Sequence, residues 1–132
     1  MARVAQDGGV GVVVSEVVID CADPARVAAF WAEVLGWRAQ PDPEGYFWMS
    51  ASGVDEENDL KLVFVPVPEP KSVKNRVHLD LSPQGADQDD ELQRLLSLGA
   101  RHADIGQEQG LSWYVLADPE GNEFCLLHTR RG

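Results

Sequence analysis

The strongest constraint on the fold of this chain is an internal repeat. The stretch LSWYVLADPEGNEFCLLH predicts a hairpin near the end of the sequence, and YFWM followed by a glycine-containing loop and NDLKLVF gives a fainter version of it earlier. Glu16 lies in the first strand pattern, and Gly36 ends the helix pattern that follows. His78 and Gly99 hold the same places in the second half, and the two intervals differ by a single residue. Loop insertions account for so small a difference, so the sequence predicts one unit built twice.

Each half of the repeat predicts a strand, a helix and three further strands. EVVIDC alternates like a strand with one buried face, and Asp23-Pro24 is typical of a helix start. RVHLDL restarts the alternation, and an acidic run before an apolar stripe predicts a second helix that Gly99 ends. The remaining strands are predicted at 37–40, 46–50, 60–65 and 101–103 and in the two arms of the final hairpin.

A proline-rich join sets the predicted domain organisation. The three prolines of PVPEP cannot continue a central strand, because each lacks the backbone donor that a sheet requires. We therefore expect a single domain over 1–132, with module one at about 12–66, a linker at 67–75 and module two at about 76–128. The predicted class is α+β, in which two βαβββ modules form a curled mixed sheet around a cleft and the helices lie outside. A concave site between similar halves is where a small molecule is expected to bind.

The composition argues against two classes of partner. The chain has 11 basic and 22 acidic residues, and its net charge of -11 repels nucleic acid and anionic lipid. No apolar run is long enough for a membrane span, and MARVAQDGG lacks the features of a secretory signal. The two cysteines, Cys21 and Cys125, are not expected to form a disulfide. These features predict a cytoplasmic protein that binds neither nucleic acid nor membrane.

Three groups of motifs carry a family resemblance. They are VIDCADP running into FW and LGW, VPEPK followed by KNRVHLDL, and DPEGNEFC. From about Ser15 to His128, the chain resembles the vicinal oxygen chelate superfamily, and within it the glyoxalase-like domains grouped with glyoxalase I and bleomycin-resistance proteins. The resemblance implies paired βαβββ modules. It leaves the reaction open, because the superfamily spans isomerases, dioxygenases, epimerases, thiol transferases and drug binders without catalytic activity.

For the metalloenzymes of the superfamily, the resemblance implies four cleft ligands on the first and last strands of each module. These ligands are His, Gln or Glu, and their positions fall on Glu16, Lys61, His78 and Cys125. A lysine ammonium has no lone pair for a metal, and a single thiolate is an unusual replacement for a carboxylate. We therefore expect no cofactor and no ordinary metal centre, with Glu16 and His78 as the ligands if a metal does bind. An ion pair between Glu16 and Lys61 is expected in place of the metal.

Other side chains are expected to face the same cleft. Glu123 shares its strand face with Cys125, and Trp48 and Trp113 occupy matching hairpin positions from which they can stack on a flat ligand. Cys125 is interpreted as a small apolar filler rather than a nucleophile. The complete predicted cleft consists of Glu16, Trp48, Lys61, His78, Asp80, Trp113, Glu123 and Cys125.

Three functions remain open at this point. The favoured one is a small-molecule-binding domain that uses the cleft without the usual metal centre. The alternative is a lyase or isomerase of the superfamily, which either depends on metal or uses His78 and Glu16 as catalytic groups for proton transfer. A third is an interaction module whose own side chains fill the cleft. The resemblance also implies a possible homodimer, because the superfamily pairs modules across subunits.

Overall fold

The computed structural model describes residues 11–56, 59–103 and 113–128. Its first module contains, in order, β1 (Glu16–Cys21), α1 (Pro24–Leu35), β2 (Gln40–Pro41), β3 (Phe47–Ser50) and β4 (Lys61–Pro66). Its second module contains β5 (Asp80–Leu81), α2 (Gln88–Leu98), β6 (Arg101–His102), β7 (Tyr114–Ala117) and β8 (Glu123–Leu126). The predicted βαβββ repeat is confirmed.

Each module forms its own mixed sheet. The strand orders are β1-β4-β3-β2 and β5-β8-β7-β6, so the same topology occurs twice. The first and last strands of each module pair in parallel, and the other neighbours pair antiparallel. The α+β class is confirmed, with the expected curled sheet divided into two four-stranded sheets.

Both helices begin and end where the sequence predicts. The Asp23 carboxylate accepts a hydrogen bond from the Arg26 amide at the start of α1, and Asp87 does the same for Asp90 at the start of α2. Each cap satisfies an amide that has no partner within its helix. Gly36 ends α1 with a φ of 70°, a left-handed conformation that glycine adopts without steric cost.

The strand β5 is shorter than its prediction. The sequence pattern covers 76–81, whereas only Asp80–Leu81 pairs as a strand. The Asn75 amide just before this stretch donates to the Glu123 side chain rather than to a sheet carbonyl, and Val77 is 77% exposed. A side-chain contact thus draws the chain away from the sheet before the predicted strand can extend upstream.

Aromatic packing joins the two modules. Trp31 of α1 and Phe124 of β8 have ring centroids 4.9 Å apart, and Phe30 packs edge-on against Trp31. All three side chains are buried in one core cluster. Burial of such large rings is a major source of stability, so α1 ties the second sheet to the first. Within the described ranges, no helix has the length and apolar character needed to cross a bilayer.

Candidate functional site

A cavity of about 400 Å³ lies between the two modules. It is bordered by β1, by 67–71 of the linker, by 77–79 just before β5, and by the turn and start of β8. Both β1 and β5 are edge strands of their sheets, so the cavity occupies the gap between two sheet edges. We call this space the intermodule cavity. Its lining residues are Val17, Val18, Ile19, Asp20, Cys21, Trp31, Val67, Glu69, Pro70, Lys71, Asn75, Val77, His78, Leu79, Glu120, Asn122, Glu123 and Phe124.

The intermodule cavity combines apolar and charged surface. Apolar side chains from the core, including Trp31 and Phe124, reach it from inside the protein. Charged groups reach it from the exposed strand β1 and from the linker, notably Asp20 and Glu69. An apolar interior with a few polar groups is the usual composition of a small-molecule site.

Glu123 holds the linker beside the cavity through an ion pair and a hydrogen bond. Lys71 Nζ lies 2.9 Å from one carboxylate oxygen of Glu123, and the Asn75 amide donates to the other at 2.9 Å. Burial alone would raise the pKa of Glu123, but the hydrogen bonds from Asn75 and Lys71 outweigh it and hold that pKa below its usual range. Glu123 therefore lines the cavity as predicted, while its charge is already paired.

The turn between β7 and β8 makes hydrogen bonds to the chain at the start of α1. The Glu120 carboxylate accepts hydrogen bonds from the amides of Ala22 and Asp23, at 2.7 and 2.6 Å. The turn depends on Gly121, whose φ is 91°, and on Asp118, whose carboxylate accepts from the amides of Glu120 and Asn122. The DPEGN turn predicted from sequence thus also connects module two to the beginning of α1.

His78 belongs to a cluster on the second sheet. Its Nε2 lies 3.2 Å from Asp80 Oδ1, and one donor atom from each of His78, Asp80 and Cys125 lies within 4.8 Å of the others. Burial, followed by the charge and hydrogen bonding of Asp80, raises the pKa of the Cys125 thiol to about 11. The thiol is therefore protonated near neutral pH, which agrees with its interpretation as a buried filler rather than a nucleophile.

Glu16 and Lys61 lie in a different cavity. This second space, of about 360 Å³, is lined by Glu16, Asp42, Tyr46, Trp48, Asp55, Lys61, Val63 and Val65. Lys61 Nζ lies 2.9 Å from Asp55, which raises the pKa of the ammonium through a hydrogen bond. The predicted ion pair between Glu16 and Lys61 is therefore wrong, because a loop carboxylate takes the lysine. The structure does not bring Glu16 and His78 into one cavity.

The strand registers also change which residues of the two modules occupy equivalent positions. Glu16 pairs with Lys61 across β1 and β4, and Asp80 pairs with Cys125 across β5 and β8. The counterpart of Glu16 in this register is therefore Asp80, two residues after His78. A shift of two residues preserves the strand face, which explains why the alternation pattern did not reveal it.

The residues at the four expected ligand positions do not fit the metal centre that the superfamily implies. Lys61 is a cation held by Asp55, and the Cys125 thiol has to lose a tightly held proton before it can bind a metal. His78, Asp80 and Cys125 are the group of donors in the described ranges that comes near enough for a metal ion. Only two of them occupy expected ligand positions.

Two further predicted cleft residues, Trp48 and Trp113, also lie apart from each other. Trp48 lines the second cavity, and Trp113 is 36% exposed and lines neither. The two tryptophans do not face one ligand. Both cysteines are free and buried, and burial followed by the charges of nearby acids raises the pKa of Cys21 to about 12.

Sequence reasoning missed several contributors to the intermodule cavity. Glu69, Lys71 and Asn75 belong to the linker, for which the sequence predicts only a connection, and Glu120 belongs to a predicted turn. The sequence of the linker did contain a signal for this role. The stretch VPEPK places two charged residues beside prolines that hold the backbone extended, an arrangement suited to presenting side chains along a groove.

Comparison with known proteins supports the fold. A family model described as a glyoxalase-like domain matches residues 16–127, whereas no curated protein sequence matches. A structure of the fosfomycin resistance protein FosX from Listeria monocytogenes, complexed with Mn(II) and dihydroxypropylphosphonic acid, is 13% identical, covers 92% of each chain and has a TM-score of 0.66. TnmS3, an antibiotic-binding protein from a Streptomyces species, is 21% identical over 92% of this chain and 98% of its own, with a TM-score of 0.59. Glyoxalase I from Leishmania major is 19% identical over 89% and 87%, with a TM-score of 0.58.

Proposed function

Because this chain belongs to the glyoxalase-like domain family of the vicinal oxygen chelate superfamily, we propose that it binds a small organic molecule in the intermodule cavity without the usual metal centre. The observation that carries the proposal is the cavity itself, with about 400 Å³ of space, an apolar interior and polar groups at its border. That size falls within the range of ordinary small-molecule sites, about 300–1,000 Å³. Similar folds include both an antibiotic-binding protein and enzymes, so the fold is compatible with binding alone.

The chemistry at the expected ligand positions supports binding without metal. Two of those positions, Glu16 and Lys61, line the second cavity, and Lys61 is engaged by Asp55. A cation at that position opposes a divalent metal ion instead of coordinating it. His78 remains available to the intermodule cavity as a polar contact for a ligand.

A cavity-filling pair of variants tests the proposal. Val77 lines the intermodule cavity and is 77% exposed, whereas Val73 is 74% exposed and does not line it. We expect small molecules that raise the melting temperature of the wild-type protein, in a screen spanning cations, neutral compounds and anions, to lose that effect in Val77→Trp. Val73→Trp should retain it. Stabilisation that survives Val77→Trp would place the ligand elsewhere, and a screen without hits would reject the proposal.

The His78–Asp80 contact favours one alternative, an enzyme of lyase or isomerase type. A carboxylate that orients an imidazole is a common arrangement for proton transfer, and the two groups lie 3.2 Å apart. The version that pairs His78 with Glu16 loses support, since Glu16 lines the other cavity. His78→Ala distinguishes the alternative, because it should abolish turnover of any bound compound while leaving most of the binding intact.

A homodimer is part of the proposed assembly. Val54 in the β3–β4 loop and Leu60 beside β4 are 49% and 45% exposed, which leaves apolar surface on the first module outside the intermodule cavity. Light scattering coupled to size-exclusion chromatography should give about twice the 14.5 kDa chain mass. A monomer at all concentrations would remove this part of the proposal and leave ligand binding untouched.

A further inference from the structure

We propose that the ligand of the intermodule cavity is an organic cation, a molecule with an amine or guanidine group on an apolar body. The inference rests on the proposed function, because it names the chemical class of the molecule in that cavity. It follows from the balance of charges around the cavity and from the partners those charges already have.

The lining carries more negative than positive charge. Four carboxylates, those of Asp20, Glu69, Glu120 and Glu123, face a single ammonium, that of Lys71. The ammonium lies 2.9 Å from Glu123, so its charge is already compensated. An anionic ligand therefore finds no lysine or arginine without a partner among the described residues that line the cavity.

Two of the carboxylates have no cation of their own. Asp20, on β1, and Glu69, on the linker, have no ion pair within 4.0 Å among the described residues. They reach the cavity from two separate elements rather than from one cluster. Glu120 accepts two backbone amides, which satisfy its oxygens but leave its formal charge in place.

The apolar interior of the cavity favours a ligand that also has an apolar body. The partly buried apolar side chains of Val17, Ile19 and Leu79 line it, so a purely hydrophilic ion would leave this surface without a partner. Burial is the main cause that raises the pKa of the Cys21 thiol. The nearby charges of Glu120, Asp118 and Asp20 raise it further, which agrees with the negative lining. A ligand with an apolar body and a cationic group satisfies both surfaces.

A matched set of three probes tests the inference. 1-Naphthylmethylamine, 1-naphthalenemethanol and 1-naphthoate share one aromatic body and differ in charge. Isothermal titration at pH 7 should give the tightest binding for the amine and the weakest for the carboxylate. The advantage of the amine over the alcohol should shrink as salt is raised from about 0.01 M to 0.15 M, because the Debye length falls from about 30 to 8 Å.

Variants that neutralise single carboxylates identify which residues attract the amine. Asp20→Asn and Glu69→Gln should each weaken amine binding by about two- to five-fold, the range for exposed charge pairs, and leave binding of the alcohol unchanged. Glu44→Gln removes the same charge from an exposed turn outside the cavity, and serves as the control. Circular dichroism checks that each variant remains folded.

The outcomes separate this inference from the function on which it rests. Equal or tighter binding of the alcohol or the carboxylate overturns the cation preference and leaves small-molecule binding in place. An equal loss of amine affinity in Glu44→Gln and Asp20→Asn also overturns it, because the effect would then come from net charge alone. Failure of all three probes to bind would reject the cation preference, whereas the proposed function would fall only if the thermal-shift screen also gave no hits.

Discussion

The indole Nε1 of Trp31 donates a hydrogen bond of 3.0 Å to Oδ2 of Asp118, and these residues are 2% and 0% exposed. The other oxygen of the same carboxylate accepts from the amides of Glu120 and Asn122. One buried carboxylate thus connects helix α1 of module one to the β7–β8 turn of module two. The intermodule cavity lies beside this connection, with Trp31 and Glu120 in its lining.

We expect Asp118→Ala to lower the free energy of unfolding by about 3–5 kcal/mol, because it leaves the buried Trp31 indole without its acceptor. The same change removes the acceptor of three part-buried donors, which are the backbone amides of Glu120 and Asn122 and the Asn122 side-chain amide.

Asp42→Ala is the matched control. Asp42 also accepts hydrogen bonds, from the Glu44 amide and from the Tyr46 hydroxyl, but in an exposed turn, and its loss should cost about 1 kcal/mol or less. Urea denaturation followed by tryptophan fluorescence measures both. Similar losses in the two variants would contradict the role assigned to Asp118.

Trp31→Phe isolates the contact between modules from the turn itself. It removes one hydrogen bond but retains most of the ring contact with Phe124, so we expect a loss of about 1–3 kcal/mol. The double variant with Asp118→Ala should lose less than the sum of the single variants, because they share one interaction. Strict additivity in a double-mutant cycle would show that the hydrogen bond does not couple the modules.

The thiols provide a prediction about reactivity. Burial is the largest cause that raises the pKa of Cys21 to about 12 and that of Cys125 to about 11, so neither thiol forms much thiolate at pH 8. We expect iodoacetamide to label both slowly in the native protein and rapidly in urea. Cys21→Ser and Cys125→Ser identify which thiol reacts. Rapid native labelling of Cys125 would instead indicate a nucleophile beside His78.

Removing metal with a chelator and adding Zn²⁺ both test the proposal of a binding site without the usual metal centre. Elemental analysis of purified protein should show no stoichiometric metal, and a chelator should leave both the melting temperature and ligand binding unchanged. Zn²⁺ added at pH 7 must displace the Cys125 proton to engage the His78–Asp80–Cys125 cluster, so any stabilisation should be weak and should grow as the pH rises. His78→Ala should remove what stabilisation there is. Tight stoichiometric metal that survives dialysis would overturn the proposal of a binding site without the usual metal centre.

The repeat, the helix limits and the final hairpin were predictable because they depend on local signals. Asp23, Gly36 and Gly99 act through backbone geometry within one turn of the chain, and a turn such as DPEGN carries its own conformational preference. The matching element order of the two modules follows from those signals together with strand alternation.

The candidate site was less predictable because it depends on which side chains meet. Alternation fixes the face of a strand but not its register, so it did not reveal that Asp80, rather than His78, pairs with Cys125. Cys125 was expected in the cleft, but it is buried and does not line the intermodule cavity. Lys61 was expected to pair with Glu16, yet a loop aspartate reaches it first, and no periodicity encodes the path of a loop. The linker contributes to the cavity through Lys71 and Asn75, whose contacts with Glu123 span about 50 residues of sequence.

The contact of Glu123 with Lys71 and Asn75 makes stability depend on acid pH. Because the folded-state pKa of Glu123 is lowered, its contribution is present above the ordinary glutamate value of 4.5 and is lost as the pH falls through the lower folded value. We expect Glu123→Gln to lower the melting temperature at pH 7, and we expect the variant and wild-type curves to come together as the pH falls below the lowered folded-state pKa. Glu44→Gln, in an exposed turn, should leave the pH 7 value nearly unchanged. A constant difference between Glu123→Gln and wild type from pH 7 to pH 3 would show that the linker is held by packing rather than by the charge of Glu123.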